Sequence, residues 1–291
     1  MNRVLAVGEV LWDLLPGGKQ LGGAPGNFAY QCRSLGADAR LVTRVGDDDL
    51  GREVLDRFRA LDLPTDGVEI DPTAPTGTVS VELNDGQPRY TIHENVAWDR
   101  IEADATALRL AAETDAICFG SLAQRSPVSR EAIARLVAAA KPGALRIFDV
   151  NLRPPFIDRE VIESSMERAN VLKLNDDELA MLAEMFGLAG EPREVVAALA
   201  GRFGLDVVAV TRGTAGSLLF RDGEWSEHEG VAVAVVDTIG AGDAFTAAMT
   251  TGLLAGLPLD AINRWANTVA AFVCTQPGGT PALPASLLAG L

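Results

Sequence analysis

The chain has 291 residues, 48% hydrophobic and 22% charged, which supplies a sizeable core and excludes wholesale disorder. Its 25 Lys and Arg stand against 40 Asp and Glu, a formal charge of −15 that excludes a general nucleic-acid or anionic-membrane binder, since either needs a positive face. A small anionic ligand stays open, because backbone amides bind phosphate without help from net charge.

Other absences narrow the field. Cys32, Cys118 and Cys274 are far apart and odd in number, so they are expected to be small buried groups in a reducing compartment, neither a disulfide framework nor a zinc site. His93 and His228 are the only histidines, too few for His-rich metal chemistry. No apolar run approaches the roughly 20 residues that span a bilayer. The opening Met1–Glu9 reaches an acid too early for a signal-peptide core. A soluble cytoplasmic protein is expected.

In chain order, short apolar and β-branched runs predict strands at Val4–Gly8, Ala39–Val45, Ala116–Phe119, Leu145–Val150, Asn170–Leu174 and Val207–Thr211. Between them, helical patterns cover Pro25–Leu35, Leu50–Leu61, Ser129–Ala140, Asp176–Phe186 and Val195–Phe203. Two long alanine-rich helices follow, Ala241–Ala255 and Leu259–Cys274. Such alternation predicts an α/β fold with a largely parallel sheet. Gly77–Leu83 and Pro88–His93 break it: they read as strands joined by a hairpin turn at Asn84-Asp85-Gly86-Gln87. With Val10–Leu15 and the Gly17-Gly18 turn they suit a small separate sheet. Local sequence alone leaves open whether the pair edges the main sheet or forms a lid.

Four segments carry candidate chemistry. In Asp237-Thr238-Ile239-Gly240-Ala241-Gly242-Asp243, small residues open a long helix whose free amides and dipole suit a transferring phosphoryl group. Asp243 in the first turn could take a proton from an attacking hydroxyl, or could simply favour the helix. In Leu21-Gly22-Gly23-Ala24-Pro25-Gly26-Asn27, paired glycines admit a ligand to the backbone and Asn27 offers a donor and an acceptor to a polyol. Asp13, after the first strand, could accept from two sugar hydroxyls; turn or capping roles explain each of these residues singly. Asn175 and Glu178 have capping-box spacing, a complete structural explanation, or lie near magnesium through water. Thr211-Arg212-Gly213-Thr214-Ala215-Gly216 follows a strand and could cradle phosphates. No P-loop motif occurs, and no Gly-x-Gly-x-x-Gly follows the first strand.

Taken together and in this order, the segments resemble the ribokinase-like (PfkB) family of carbohydrate kinases over nearly the whole chain. Gly22–Gly51, including Val45-Gly46-Asp47-Asp48, and Asp237–Phe245 are similar to its two signatures. The resemblance implies a single domain over residues 1–291, a doubly wound, mostly parallel sheet flanked by helices, with a small β-sheet lid from about residues 10–20 and 77–95. It implies transfer of the γ-phosphoryl of ATP to a sugar hydroxyl with Mg²⁺. Asp243 then matches the catalytic base, and Gly240, Ala241 and Gly242 the anion hole. Asp13, Gly23 and Asn27 match sugar-binding positions; Asn175 and Glu178 the magnesium–phosphate region; Thr211, Gly213 and Gly216 the nucleotide loop; Asn267 a position near adenine. Many members bind a monovalent cation such as K⁺ near the position of Asp237, and Ile239 stands where some have Thr.

For the substrate, Asp149-Val150-Asn151-Leu152-Arg153-Pro154-Pro155 is similar to the fructokinase branch and in part to ketodeoxygluconate kinases. Phe119–Arg125 and Val96–Asp99 are also fructokinase-like. Arg153, at the end of a strand, could reach a sugar hydroxyl, a carboxylate or a phosphate, or form a helix-side salt bridge. Fructose is the expected substrate, with 2-keto-3-deoxygluconate, then ribose or a nucleoside, as alternatives. A catalytically silent sugar sensor or scaffold is the alternative of another class. The lid's apolar β-surface suggests a homodimer through it, with no nucleic-acid or membrane partner.

Overall fold

The structure, a computed structural model, describes residues 1–15, 17–84 and 87–288. Its strands are β1 (Arg3–Val7), β2 (Leu11–Leu15), β3 (Gly18–Gly22), β4 (Asp38–Gly46), β5 (Val68–Asp71), β6 (Gly77–Asn84), β7 (Gln87–Ile92), β8 (Ala116–Phe119), β9 (Leu145–Asp149), β10 (Val171–Asn175), β11 (Val207–Thr211), β12 (Ser217–Arg221) and β13 (Glu224–His228). Its helices are α1 (Ala24–Ser34), α2 (Asp49–Ala60), α3 (Ala105–Glu113), α4 (Pro127–Ala139), α5 (Arg159–Arg168), α6 (Asp176–Phe186), α7 (Pro192–Phe203), α8 (Ala241–Leu254), α9 (Leu259–Cys274) and the short α10 (Ala285–Leu288). None among the described residues is long and apolar enough to cross a membrane.

Nine strands form the main sheet in the order β13-β12-β11-β10-β9-β8-β1-β4-β5. Every pairing from β5 to β11 is parallel, while β12 and β13 are a terminal antiparallel hairpin. Side chains alternate across such a sheet. Leu5, Val7, Leu172 and Leu174 accordingly face a core with α3 to α7, while Val4, Ala6, Ala39 and Leu41 face a second core with α1, α2, α8 and α9. The chain leaves β1 in two directions, to β4 on one side and β8 on the other. That makes β1 and β8 the topological switch point, where the carboxyl ends of the strands open a crevice.

The remaining strands form a separate four-stranded sheet, β3-β2-β6-β7. The pair expected at 77–93 is therefore not an edge of the main sheet. Parallel pairing of β2 with β6 brings an early segment beside a late one, and β3 was expected only as a turn. The expected 84–87 turn includes residues 85 and 86, outside the described residues. Asp48 fixes the entry to this sheet: its carboxylate accepts from the Thr76 amide (2.8 Å), the Thr76 hydroxyl (2.6 Å) and the Gly51 amide at the start of α2 (2.7 Å). The hydroxyl of Thr76 in turn accepts from the amide of Gly46 (2.9 Å). The Gly46–Gly51 motif thus clamps β4, α2 and the crossing strand.

Candidate active site

A narrow cleft, partly open to solvent, lies outside the carboxyl ends of β1, β8 and β9. Glu9 follows β1, Gly120 and Ser121 follow β8, and Asp149 ends β9; Asp243 enters from the first turn of α8. Alternation along β9 and β10 turns Asp149 and Lys173 toward α8. There Lys173 Nζ meets Asp149 at 3.1 Å, and Thr246 donates its hydroxyl to the other Asp149 oxygen at 2.8 Å. A side chain at Gly242 would come within 3.1 Å of the ammonium, so the lysine lies beside the helix N-terminus. Both partners are only 7% exposed, and burial, which by itself lowers the Lys173 pKa, is outweighed by Asp149, Glu178 and Asp243.

Asp243 Oδ2 accepts from Asn27 Nδ2 at 2.8 Å across 216 positions of sequence. Burial, then the neighbouring Asp149 charge, push the Asp243 carboxyl up to about 6, against the Asn27 hydrogen bond and the charges of Lys173 and Arg153. Helix α8 starts at Gly240, whose φ of 76° is left-handed and whose missing side chain would lie 2.4 Å from Gly279 Cα. Ala241 donates its amide to the Thr238 carbonyl at 3.3 Å. Its neighbours Gly240, Gly242 and Asp243 have amides without an acceptor among the described residues. The free donors of this turn are therefore Gly240, Gly242 and Asp243, where the sequence suggested Gly240, Ala241 and Gly242.

Asp13 on β2 is partly buried, and Gly22 leaves its carboxylate room, since a side chain there would come within 2.5 Å. Burial raises the Asp13 pKa against the pull of Arg153. Gly23, before α1, packs on the Glu9 carbonyl. Arg153 is exposed, bonds only the Leu152 carbonyl, and has no ion-pair partner among the described residues; the salt bridge weighed for it is not formed.

Farther along the same sheet edge, Asn175 and Thr211 end adjacent strands in register. Asn175 and Glu178 form a reciprocal capping box, with both bonds at 2.8 Å, and the second Glu178 oxygen accepts from Leu152 N at 2.8 Å. No group of three metal-ligating side chains occurs among the described residues. Gly213 (φ 55°) and Gly216 (φ 80°) turn the chain from β11 into β12, and a side chain at Gly216 would lie 1.9 Å from the His228 carbonyl. The Asn267 amide is held by Ser217 (2.7 Å) and Asn263 inside the fold. Asp237 accepts from the amides of Ile239 (2.9 Å) and Gly278 (3.0 Å).

Sequence reasoning missed Glu9 and Asp149. The available signal was an acid at the carboxyl end of a buried strand. It also missed Gly278-Gly279, which packs against Asn27 and Gly240; paired glycines after Pro277 were the cue.

Several known proteins are similar to this chain over nearly its whole length. A fructokinase of Klebsiella pneumoniae is 30% identical over 301 residues, covering 97% of this chain and 96% of that protein. An uncharacterized sugar kinase of Pyrococcus horikoshii is 29% identical over 302 residues, covering 97% and 93%. The latter's crystal structure in complex with ATP superposes with a TM-score of 0.83 at 27% identity, over 95% of this chain and 94% of that one. An ATP-bound fructokinase of Xylella fastidiosa, 23% identical, shares the fold with a TM-score of 0.87 over 99% and 97%. The model of the pfkB family carbohydrate kinases matches residues 17–286, and the chain belongs to that family.

Proposed function

We propose that this carbohydrate kinase transfers the γ-phosphoryl group of MgATP to a hydroxyl of a neutral monosaccharide, fructose first, with Asp243 as the base. The observation that carries the reading is the junction of Asp243, Asn27 and the free amides opening α8. A sugar hydroxyl is a poor nucleophile near neutral pH, so it must be aligned and lose its proton as it attacks. In this reading Asn27 holds the Asp243 carboxylate toward the sugar, and Asp243 accepts the hydroxyl proton. The new oxygen–phosphorus bond forms as the bond to the ADP oxygen breaks. Amides of Gly240, Gly242 and Asp243, with Lys173 behind them, stabilise charge on the transferring phosphoryl oxygens.

The nucleotide lies along the edge from Asn175 to the Thr211–Gly216 turn, and Asn267 supports that turn through Ser217. Glu178 keeps unused lone pairs but spends both oxygens on backbone amides. That fits a hydrated Mg²⁺ carried on the nucleotide phosphates and held by Asn175 and Glu178 through water. When bound, the ion supplies neutralisation of phosphate charge. Asp13 and Gly23 hold sugar hydroxyls from the small sheet, which acts as a lid excluding competing water.

Glu9, Asp149 and Asp243 line the cleft and make it a poor host for a sugar acid, and the 30% identical fructokinase supports a neutral ketose. The unpaired Arg153 favours a second reading, an acid sugar such as 2-keto-3-deoxygluconate. A coupled ADP-release assay with MgATP against fructose, 2-keto-3-deoxygluconate, ribose, adenosine, glucose and tagatose separates them. Fructose-dependent turnover is expected. Turnover on the acid alone makes Arg153 a carboxylate clamp, and sugar binding without turnover makes the chain a sensor.

A further inference from the structure

We propose that Glu9 is a sugar-specificity residue, its buried carboxyl hydrogen-bonding a substrate hydroxyl other than the one that Asp243 deprotonates. The inference rests on the sugar-kinase reading above and adds to it a contact at the head of the cleft.

Glu9 is the first side chain to enter the cleft from central strand β1, at the switch point of the sheet. It is only 4% exposed, yet its Oε2 has no hydrogen-bond partner among the described residues. A buried carboxyl oxygen left unpaired is costly, and apolar replacement would remove that cost. A bound polyol supplies the missing partner.

The charged groups facing Glu9 do not satisfy it. Arg125 bonds Asp99 through Nε (2.8 Å) and Nη2 (3.0 Å), donates to the His93 carbonyl and stacks on Trp98 at 3.9 Å; its buried Nη1 also has no partner among the described residues, but no hydrogen bond joins it to Glu9. Arg153 stands exposed at the mouth, and Asp243 is a like charge. Burial is the main influence and lifts the Glu9 carboxyl to about 7. Asp243 adds to the rise, and the Glu9 amide, Arg153 and Arg125 oppose it. Near neutral pH the protonated form, which both donates and accepts, is therefore well populated beside the ionised one, and it matches a hydroxyl. Asp243, not Glu9, stands in the first turn of α8 beside the free amides, so the proposed phosphoryl chemistry belongs to Asp243.

The test uses full-length Glu9→Met and Glu9→Gln. Each is assayed at saturating MgATP with the panel sugar that the wild type phosphorylates fastest, and with the monodeoxy analogues of that sugar. Glu9→Met should raise the sugar KM at least tenfold with kcat within about threefold, and leave the ATP KM unchanged. The wild type should discriminate against one deoxy analogue, and Glu9→Met should lose that discrimination. The wild-type sugar KM should rise as pH climbs through about 7, and Glu9→Gln should flatten the rise while staying within about threefold of the wild-type KM at neutral pH. Thermal melts of Glu9→Met should lie at or above wild type. A folded variant of either kind with unchanged sugar KM and unchanged deoxy discrimination overturns the proposal, as does a loss confined to kcat. A wild type that turns over no panel sugar overturns the kinase reading first, and this proposal with it.

Discussion

Asp243 is pulled in two directions, and the balance has measurable consequences. Its ordinary carboxyl range lies near 3.8, and the fold raises it to about 6. A carboxyl raised on folding favours the native state when protonated. Its contribution is fully present below about pH 3.8 and is lost as pH rises through about 6. The base role proposed for Asp243 needs the opposite form, so kcat should fall as pH drops below about 6 in a pH–rate profile. Glu9 behaves alike in stability: its shift from 4.5 to about 7 disfavours the fold as pH rises through that window. The melting advantage of Glu9→Met over wild type should accordingly be larger at pH 8 than at pH 4.5, which differential scanning calorimetry checks.

At the scale of elements, two tight junctions position the site. Asp48 joins β4, α2 and the crossing to the small sheet. Burial would raise its carboxyl, but the hydrogen bonds from Thr76 and Gly51 outweigh it and lower the pKa. Its stabilisation is thus present above the usual Asp range and lost as pH falls through the lowered value. Asp48→Asn should cost about 1–3 kcal/mol by denaturant unfolding near neutral pH. At the other junction, Gly216→Ala forces a side chain toward the His228 carbonyl at a left-handed φ. The ATP KM should rise while sugar binding by calorimetry stays unchanged, because the proposed nucleotide site includes the Thr211–Gly216 turn.

Helices such as Asp176–Phe186 and Leu259–Cys274 were legible to the residue, because a capping box and a long apolar face are local signals. Strand β3, the β12–β13 hairpin, β5 and α3 were not. Gly18–Gly22 has a glycine at each end and two polar residues, and its pairing partner β2 alone makes it a strand. The site divided in the same way. Asp243 and Asn27 were legible as residues in motifs, but their mutual hydrogen bond spans the fold. The Asp149–Lys173 pair depends on two strands presenting alternate side chains to one helix, which no single segment encodes. The amide of Ala241 was misassigned because the turn before α8 bends back to Thr238, a detail of backbone geometry.

Across the whole molecule, one sheet edge orders the chemistry. The cleft lies at β1, β8 and β9, the helix N-terminus beside it, and the Thr211–Gly216 turn after β11. The small sheet stands apart from the main one, with Leu14 and Tyr90 exposed on its two faces. We expect a homodimer through this sheet, seen as twice the chain mass by light scattering, and a shift to monomer in Tyr90→Asp. The central claim concerns Asp243, and its most direct test compares wild type with Asp243→Asn in MgATP-dependent ADP release, with sugar binding followed by calorimetry. The account predicts sugar-dependent turnover by the wild type, and in the variant retained sugar binding with kcat lower by about 10²–10⁴-fold. Wild-type turnover in Asp243→Asn would contradict it.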